Sequence, residues 1–202
     1  MPATVDGSVR CGVRGKLTRD GLQALMQELA RTAPGRRSYR VYFVGGGTAV
    51  HSGWRESTID ADLSSDHDAI FRDVQGIKER LQLNIEFARP EDFVPTLSGS
   101  NDRHLFIDTI GRVSFYHYDP YAQLLSKVVR GFNRDMQDAE NFVLSGMVDP
   151  RLFQSLVQRI PDRSYAKYPA LSRQGVLDAV QSFLQRVGAP GHAKQDHVGG
   201  QT

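Results

Sequence analysis

Only one cysteine stands in the 202 residues. A lone thiol, Cys11, excludes an intramolecular disulfide and a cysteine-rich zinc site, and it suits a reducing cytoplasm. No apolar run approaches the length of a bilayer-spanning helix. Met1–Gly15 is polar and glycine-containing and lacks the apolar stretch of a secretory signal. A large excess of charge of one sign is also missing. Lys and Arg number 25 against 23 Asp and Glu, and the net +2 is too small to argue by itself for a nucleic-acid or membrane partner. No histidines show the His-Glu-x-x-His spacing of a helical zinc site; His51, His67, His104 and His117 read as structural or surface residues. No internal repeat is visible. These absences leave a soluble cytoplasmic globular protein of ordinary composition, 40% hydrophobic and 24% charged. Its length suits one domain with a real core, or one domain with a helical extension.

Periodicity divides the chain into a mixed first half and a helical second half. Met1–Lys16 is irregular. Thr18 caps a helix whose Leu22, Leu25, Met26 and Leu29 follow helical spacing, ended by Pro34-Gly35. Residues 40–44 (Arg-Val-Tyr-Phe-Val) form a strand that runs straight into Gly45-Gly46-Gly47, and 48–53 form a short helix. Residues 57–63 are the next strand, with Ile59, Ala61 and Leu63 on one face and Thr58, Asp60 and Asp62 on the other. A helix from Asp66 carries Ile70, Val74, Ile77 and Leu81. A third strand follows over 83–88, with Leu83, Ile85 and Phe87 opposite Asn84 and Glu86. Pro90 and Pro95 bracket a loop. Strands over 104–109 and 112–118 meet at Gly111. Beyond Pro120 the period becomes helical, over about 120–129, 135–145, 150–158 and 172–187, and 188–202 is expected to be a disordered tail. The fold class is α/β (α+β): a mixed sheet flanked by helices over 17–118, then a helical region over 119–187.

The glycine turn and an acidic pair carry the chemistry. A tight glycine turn brings backbone N–H groups close to a phosphate. This one lacks the Gly-Lys-Ser/Thr ending of a P-loop, and Val50 stands where the last glycine of a dinucleotide fingerprint belongs. A turn that needs only a positive φ fits it as well. After eleven intervening residues Thr48 is followed by Asp60-Ala61-Asp62. Aspartates at i and i+2 of a strand point the same way and can share a divalent cation. Aspartate is disfavoured in strands, and neighbouring carboxylates repel. The pair is therefore costly unless a cation neutralises it or water covers the face. The turn just before it favours the cation, because a phosphate cradle and a metal pair are two halves of one site.

Three further groups can join them. Glu86 approaches Asp60 and Asp62 if strands 57–63 and 83–88 are neighbours; otherwise it is an exposed edge residue. Lys127, Arg130 and Arg134, three and four apart, form a cationic face suited to phosphates if their helix is continuous; otherwise they are solvated charges paired with Asp135 and Asp138. Arg36-Arg37-x-x-Arg40 touches nucleic acid or is a solvated loop before a strand.

Gly46-Gly47-Thr48 followed by Arg55-Glu56-Ser57-Thr58-Ile59-Asp60-Ala61-Asp62-Leu63 resembles the signature of the nucleotidyltransferase superfamily that includes DNA polymerase beta, poly(A) polymerase and aminoglycoside adenylyltransferases. Arg55, Thr58, Asp60 and Asp62, with Lys127, Arg134-Asp135-Met136-Gln137-Asp138 and the Pro90–Pro95 segment, are most similar to AbiEii-like minimal nucleotidyltransferase toxins. The resemblance covers residues 40–145. It implies a Mg²⁺-dependent enzyme that moves a nucleoside monophosphate from an NTP to tRNA or protein, with a cognate antitoxin protein as partner. Gly46, Gly47, Thr48, Lys127 and Arg134 would hold the nucleotide. Asp60, Asp62 and Glu86 would hold metal. Lys127 and Asp135, or Asp138 in its place, would complete the catalytic set. A transferase acting on a small molecule such as an antibiotic, and a non-catalytic nucleotide-binding module, share the same signature.

Overall fold

The computed structural model describes residues 15–188. Leu17–Thr18 (β1) leads into Arg19–Thr32 (α1), and Thr18 Oγ1 accepts the Gly21 N–H at 3.2 Å as the cap. The periodic Leu22, Leu25, Met26 and Leu29 are its buried stripe. Then come Tyr39–Val44 (β2), Gly46–His51 (α2), Ser57–Thr58 (β3), Asp60–Ser65 (β4), a 3₁₀ turn over Asp68–Phe71, Val74–Leu81 (α3), Asn84–Phe87 (β5), Leu105–Ile110 (β6) and Val113–His117 (β7). The five-stranded sheet is ordered β5-β4-β2-β7-β6. It is mixed: β2 and β4 are antiparallel, β4 and β5 parallel. The central β2 buries Tyr39, Val41, Tyr42, Phe43 and Val44, as a strand covered on both faces must. Phe43 stacks on Phe115 with ring centroids 6.1 Å apart.

Two sequence expectations fail here for tertiary reasons. The single strand expected over 57–63 is broken at Ile59. Thr58 and Ser57 leave the main sheet to pair with Leu17 and Thr18 of β1. Ile59 is therefore 59% exposed while Ala61 and Leu63 are fully buried. The helix expected from Asp66 is a 3₁₀ turn and then α3. Phe87, expected to share the buried face of Leu83 and Ile85, lies at the end of β5 and is 54% exposed, with its ring 4.5 Å from that of Phe71. Between α1 and α3, Glu28 accepts from Arg31 at 2.9 and 2.8 Å and from Arg80 at 2.7 Å. The two guanidinium groups hold its carboxyl down at about 2.

Contacts divide the chain into two compact units, one comprising residues up to Phe87 with Asp108–Phe115, the other Ala88–Ile107 with the residues from Tyr116 on. The second unit is built on Pro120–Arg130 (α4), Asn133–Leu144 (α5), Pro150–Gln158 (α6) and Arg173–Gly188 (α7). Leu124, Leu125, Phe142, Phe153 and Phe183 are buried in it. Asp119, fully buried, caps α4 through the Tyr121 N–H at 3.0 Å and pairs in bidentate fashion with Arg103 at 3.2 and 2.6 Å. The Pro90–Pro95 segment, read as a loop, contains a 3₁₀ turn. There Tyr118 donates to the Glu91 carboxylate at 2.9 Å and Tyr168 to the Glu91 carbonyl at 2.6 Å. Burial and the Glu91 charge push the Tyr118 phenol above its ordinary range. Among the described residues no helix is long and apolar enough to cross a membrane. Apart from Gly15, Lys16 and Gly188, the stretches expected to be irregular at the two ends lie outside the described residues.

Candidate active site

Two different constraints account for the three glycines after β2. Gly45 takes φ 54° and ψ −118°, which L side chains rarely adopt. A Cβ on it would also stand 2.9 Å from Asp62 Oδ2. Gly46 lies against Thr58, whose Cβ would be 2.7 Å from an added Cβ. Gly47 faces the Phe43 ring at 3.3 Å. Positive φ thus explains Gly45 alone. Close approach explains the other two, and Gly46→Ala should destabilise the fold by about 1–3 kcal/mol, more than Gly47→Ala. Denaturant midpoints for the two variants check the order. Thr48 is fully buried, and its Oγ1 donates to the Phe43 carbonyl at 3.1 Å, tying α2 to the end of β2. The first N–H groups of any helix lack intrahelical partners, so the turn's backbone, rather than the Thr48 hydroxyl, is what it offers to an anion.

His51 closes α2. Burial, with Arg19 adding to it, lowers its imidazole below the ordinary value. The neutral ring is then the native form, and the unfolded chain binds the proton more readily. Stability therefore rises with pH between the lowered value and about 6.5. Acidification from pH 8 to 5 should lower the denaturation midpoint of the wild type more than that of His51→Gln. Parallel pH profiles would contradict this.

The sheet register assembles the acidic group. Asp62 stands between Val44, the last residue of β2, and Glu86 of β5; Asp60 stands beside Asn84. The neighbour relation that Glu86 requires is met, and the period-2 pleat puts all four on one face. Asp60 and Asp62 are half-buried, and Glu86 is exposed. Asn84 Nδ2 donates to Asp60 Oδ1 at 2.5 Å and to Glu86 Oε1 at 3.2 Å, which offsets part of the repulsion between the carboxylates. Among the described residues no three His, Cys, Asp or Glu side chains are gathered as a metal-ligand set. The sheet offers a carboxylate pair with a third carboxylate one strand away.

The continuous helix on which a cationic face of Lys127, Arg130 and Arg134 depends does not exist. α4 ends at Arg130, Gly131 turns the chain at φ 68°, and α5 starts at Asn133. Lys127 is turned inward instead. Its Nζ donates to Asp135 Oδ1 at 3.2 Å and Asp138 Oδ2 at 2.6 Å. Arg130 also donates to Asp135 Oδ1, at 2.9 Å. The Lys127 and Asp138 side chains are only 4% and 2% exposed, so these charges are not solvated pairs either. Arg134 is exposed in the first turn of α5. This network belongs to the second unit, whereas Gly45–Thr48, Asp60, Asp62 and Glu86 belong to the first.

A family described as nucleotidyltransferase of unknown function (DUF6036) matches residues 20–185. The chain belongs to this nucleotidyltransferase family. No curated protein and no solved structure matches it. The matched span takes in the glycine turn, the acidic pair, Glu86 and the Lys127 network of this nucleotidyltransferase. Sequence reasoning named Gly45 in the turn and Asn84 on the face of Glu86 but gave neither a place in the candidate site. The signal for Asn84 was present: it lies two residues before Glu86 and so on the same strand face. The role of Gly45 follows only from the register that brings Asp62 beside it.

Proposed function

We propose that this protein transfers a nucleoside monophosphate from an NTP to a macromolecular acceptor, RNA or protein. An acceptor oxygen attacks the α-phosphorus, the bond from that phosphorus to the pyrophosphate oxygen breaks, and pyrophosphate leaves with its electron pair. The observation that carries this reading is the place of Asp62, directly beside Gly45 on one side and Glu86 on the other. The backbone assigned here to phosphate and the carboxylate assigned to metal are thereby adjacent.

Asp60 and Asp62 would hold Mg²⁺, which when bound neutralises charge on the triphosphate. Their hard oxygen donors suit it, and Mg²⁺ is commonly held by one or two carboxylates completed by water and substrate phosphates. A carboxylate pair therefore fits without a full protein cage. Gly46 and Gly47 would donate backbone N–H groups to the phosphates. Glu86, exposed beside Asp62, would complete the metal set or take the proton released by the acceptor. Arg134 would contribute positive charge to nucleotide binding. Lys127, Asp135 and Asp138 are assigned to holding α4 on α5. The likeness of Arg55, Thr58, Asp60 and Asp62 to AbiEii-like toxins supports a cytoplasmic toxin role with an antitoxin partner.

The test is incubation of purified protein with Mg²⁺, each labelled NTP in turn, and total RNA or protein. Label should appear in RNA, in protein or in the enzyme itself. Absence of label with all four nucleotides would overturn the reading. Growth arrest on expression, relieved by the product of a neighbouring gene, is expected of the toxin role.

A further inference from the structure

At the opposite end of β2 from the glycine turn lies a concavity of about 340 Å³, bordered by Arg36, Arg37 and Arg72 with Pro34, Tyr39 and Ala69 among its walls. All of it lies within the first unit. The three arginines are exposed. Among the described residues, none of their guanidinium groups makes an ion pair or a side-chain hydrogen bond. Arg31 and Arg80 of the same unit are, by contrast, paired with Glu28. Arg40 follows on β2, and Arg112 donates to the Ala33 carbonyl at 3.0 Å at the base of the same loop. Of the acidic residues near it in sequence, Asp66 accepts the Tyr42 hydroxyl at 2.9 Å, Asp73 accepts from Arg80 at 2.7 Å, and Asp68 is exposed. Three arginines thus line one concavity, in a chain whose whole net charge is +2.

We propose that Arg36, Arg37 and Arg72 bind the phosphodiester backbone of a single-stranded nucleic acid. Guanidinium groups present fork-shaped donors that match phosphate oxygens. The walls that Pro34 and Ala69 supply suit a sugar or base in a way an acidic peptide does not require. The five steps of β2 from Tyr39, in the pocket, to Val44, beside Asp62, span about 17 Å at roughly 3.4 Å per residue. The site is therefore distinct from the acidic pair, and the inference does not depend on the transfer reaction.

The experiment is a fluorescence-anisotropy titration of the full chain with labelled single-stranded RNA and DNA of one sequence, across a salt series. Both strands should bind. Combining Arg36→Ala, Arg37→Ala and Arg72→Ala should weaken both by about tenfold or more and reduce the salt slope by about 2, at roughly 0.7 per phosphate contact. The melting temperature should not change, because the three side chains are exposed. Asp62→Asn should bind like the wild type, so a loss of transfer and a loss of binding are told apart. Wild-type affinity and slope in the triple variant would overturn the proposal. So would a poly-glutamate peptide that binds as tightly as RNA and is lost in parallel, since that identifies an acidic-protein dock.

Discussion

Asp62→Asn should abolish nucleotidyl transfer while leaving the fold at least as stable as before. The change is isosteric, and it removes one charge from a face that also carries Asp60 and Glu86. Carboxylates at adjacent register positions repel, so relieving one should leave the denaturant midpoint unchanged or raise it. Activity should move the other way. Loss of a group aimed at charge in the transition state typically costs about 10²–10³ in kcat, and the loss should be at least that large here. Asp60→Asn should behave alike, because an amide at 60 can still accept from Asn84 through its oxygen. Single-turnover incorporation of labelled nucleotide, read beside the midpoint, gives both halves. Wild-type turnover in both variants would remove these two carboxylates from the reaction. Stability that rises as function falls is the mark of residues kept for chemistry.

Lys127→Met should cost about 3–5 kcal/mol of stability. The substitution keeps the length of the side chain and deletes its charge. It leaves Asp138, 2% exposed, and Asp135, 12% exposed, beside an apolar group. Arg130 still reaches Asp135, whereas Asp138 loses the ammonium that donates to it at 2.6 Å. Against a typical total of about 5–15 kcal/mol, such a loss is severe. Adding Asp138→Asn should recover much of it, since what costs most is the uncompensated buried charge rather than the absence of the pair. Chemical denaturation of the single and double variants measures both. A Lys127→Met protein of wild-type stability that has lost transfer would return Lys127 to the chemistry, as its resemblance to a toxin active-site lysine implies.

Much of the site was legible because strand periodicity is strict. Asp60 and Asp62 share a face by the pleat alone; Glu86 joins them only if the two strands are neighbours, a condition the register of β4 with β5 meets. What was not legible depended on partners distant in sequence. The break at Ile59 is made by Leu17 and Thr18, some forty residues earlier, and nothing local to 57–63 reports it. The buried turn of Thr48 onto the Phe43 carbonyl is a matter of how α2 meets β2. The Lys127 network is a different case. Gly131 was there to be read as a helix C-cap, yet spacings of three and four across it suggested a single face. A left-handed glycine between Arg130 and Arg134 cancels that arithmetic.

The same glycine has a consequence for how the second unit assembles. α4 contains no acidic residue, so Lys127 finds its carboxylates only on α5, eight and eleven positions onward. Neither helix can become dry alone without stranding a charge. The two should therefore open and close as one cooperative block, and amides on both should exchange with solvent at a common rate. The contacts that couple them span few residues, which favours early closure of this hairpin during folding.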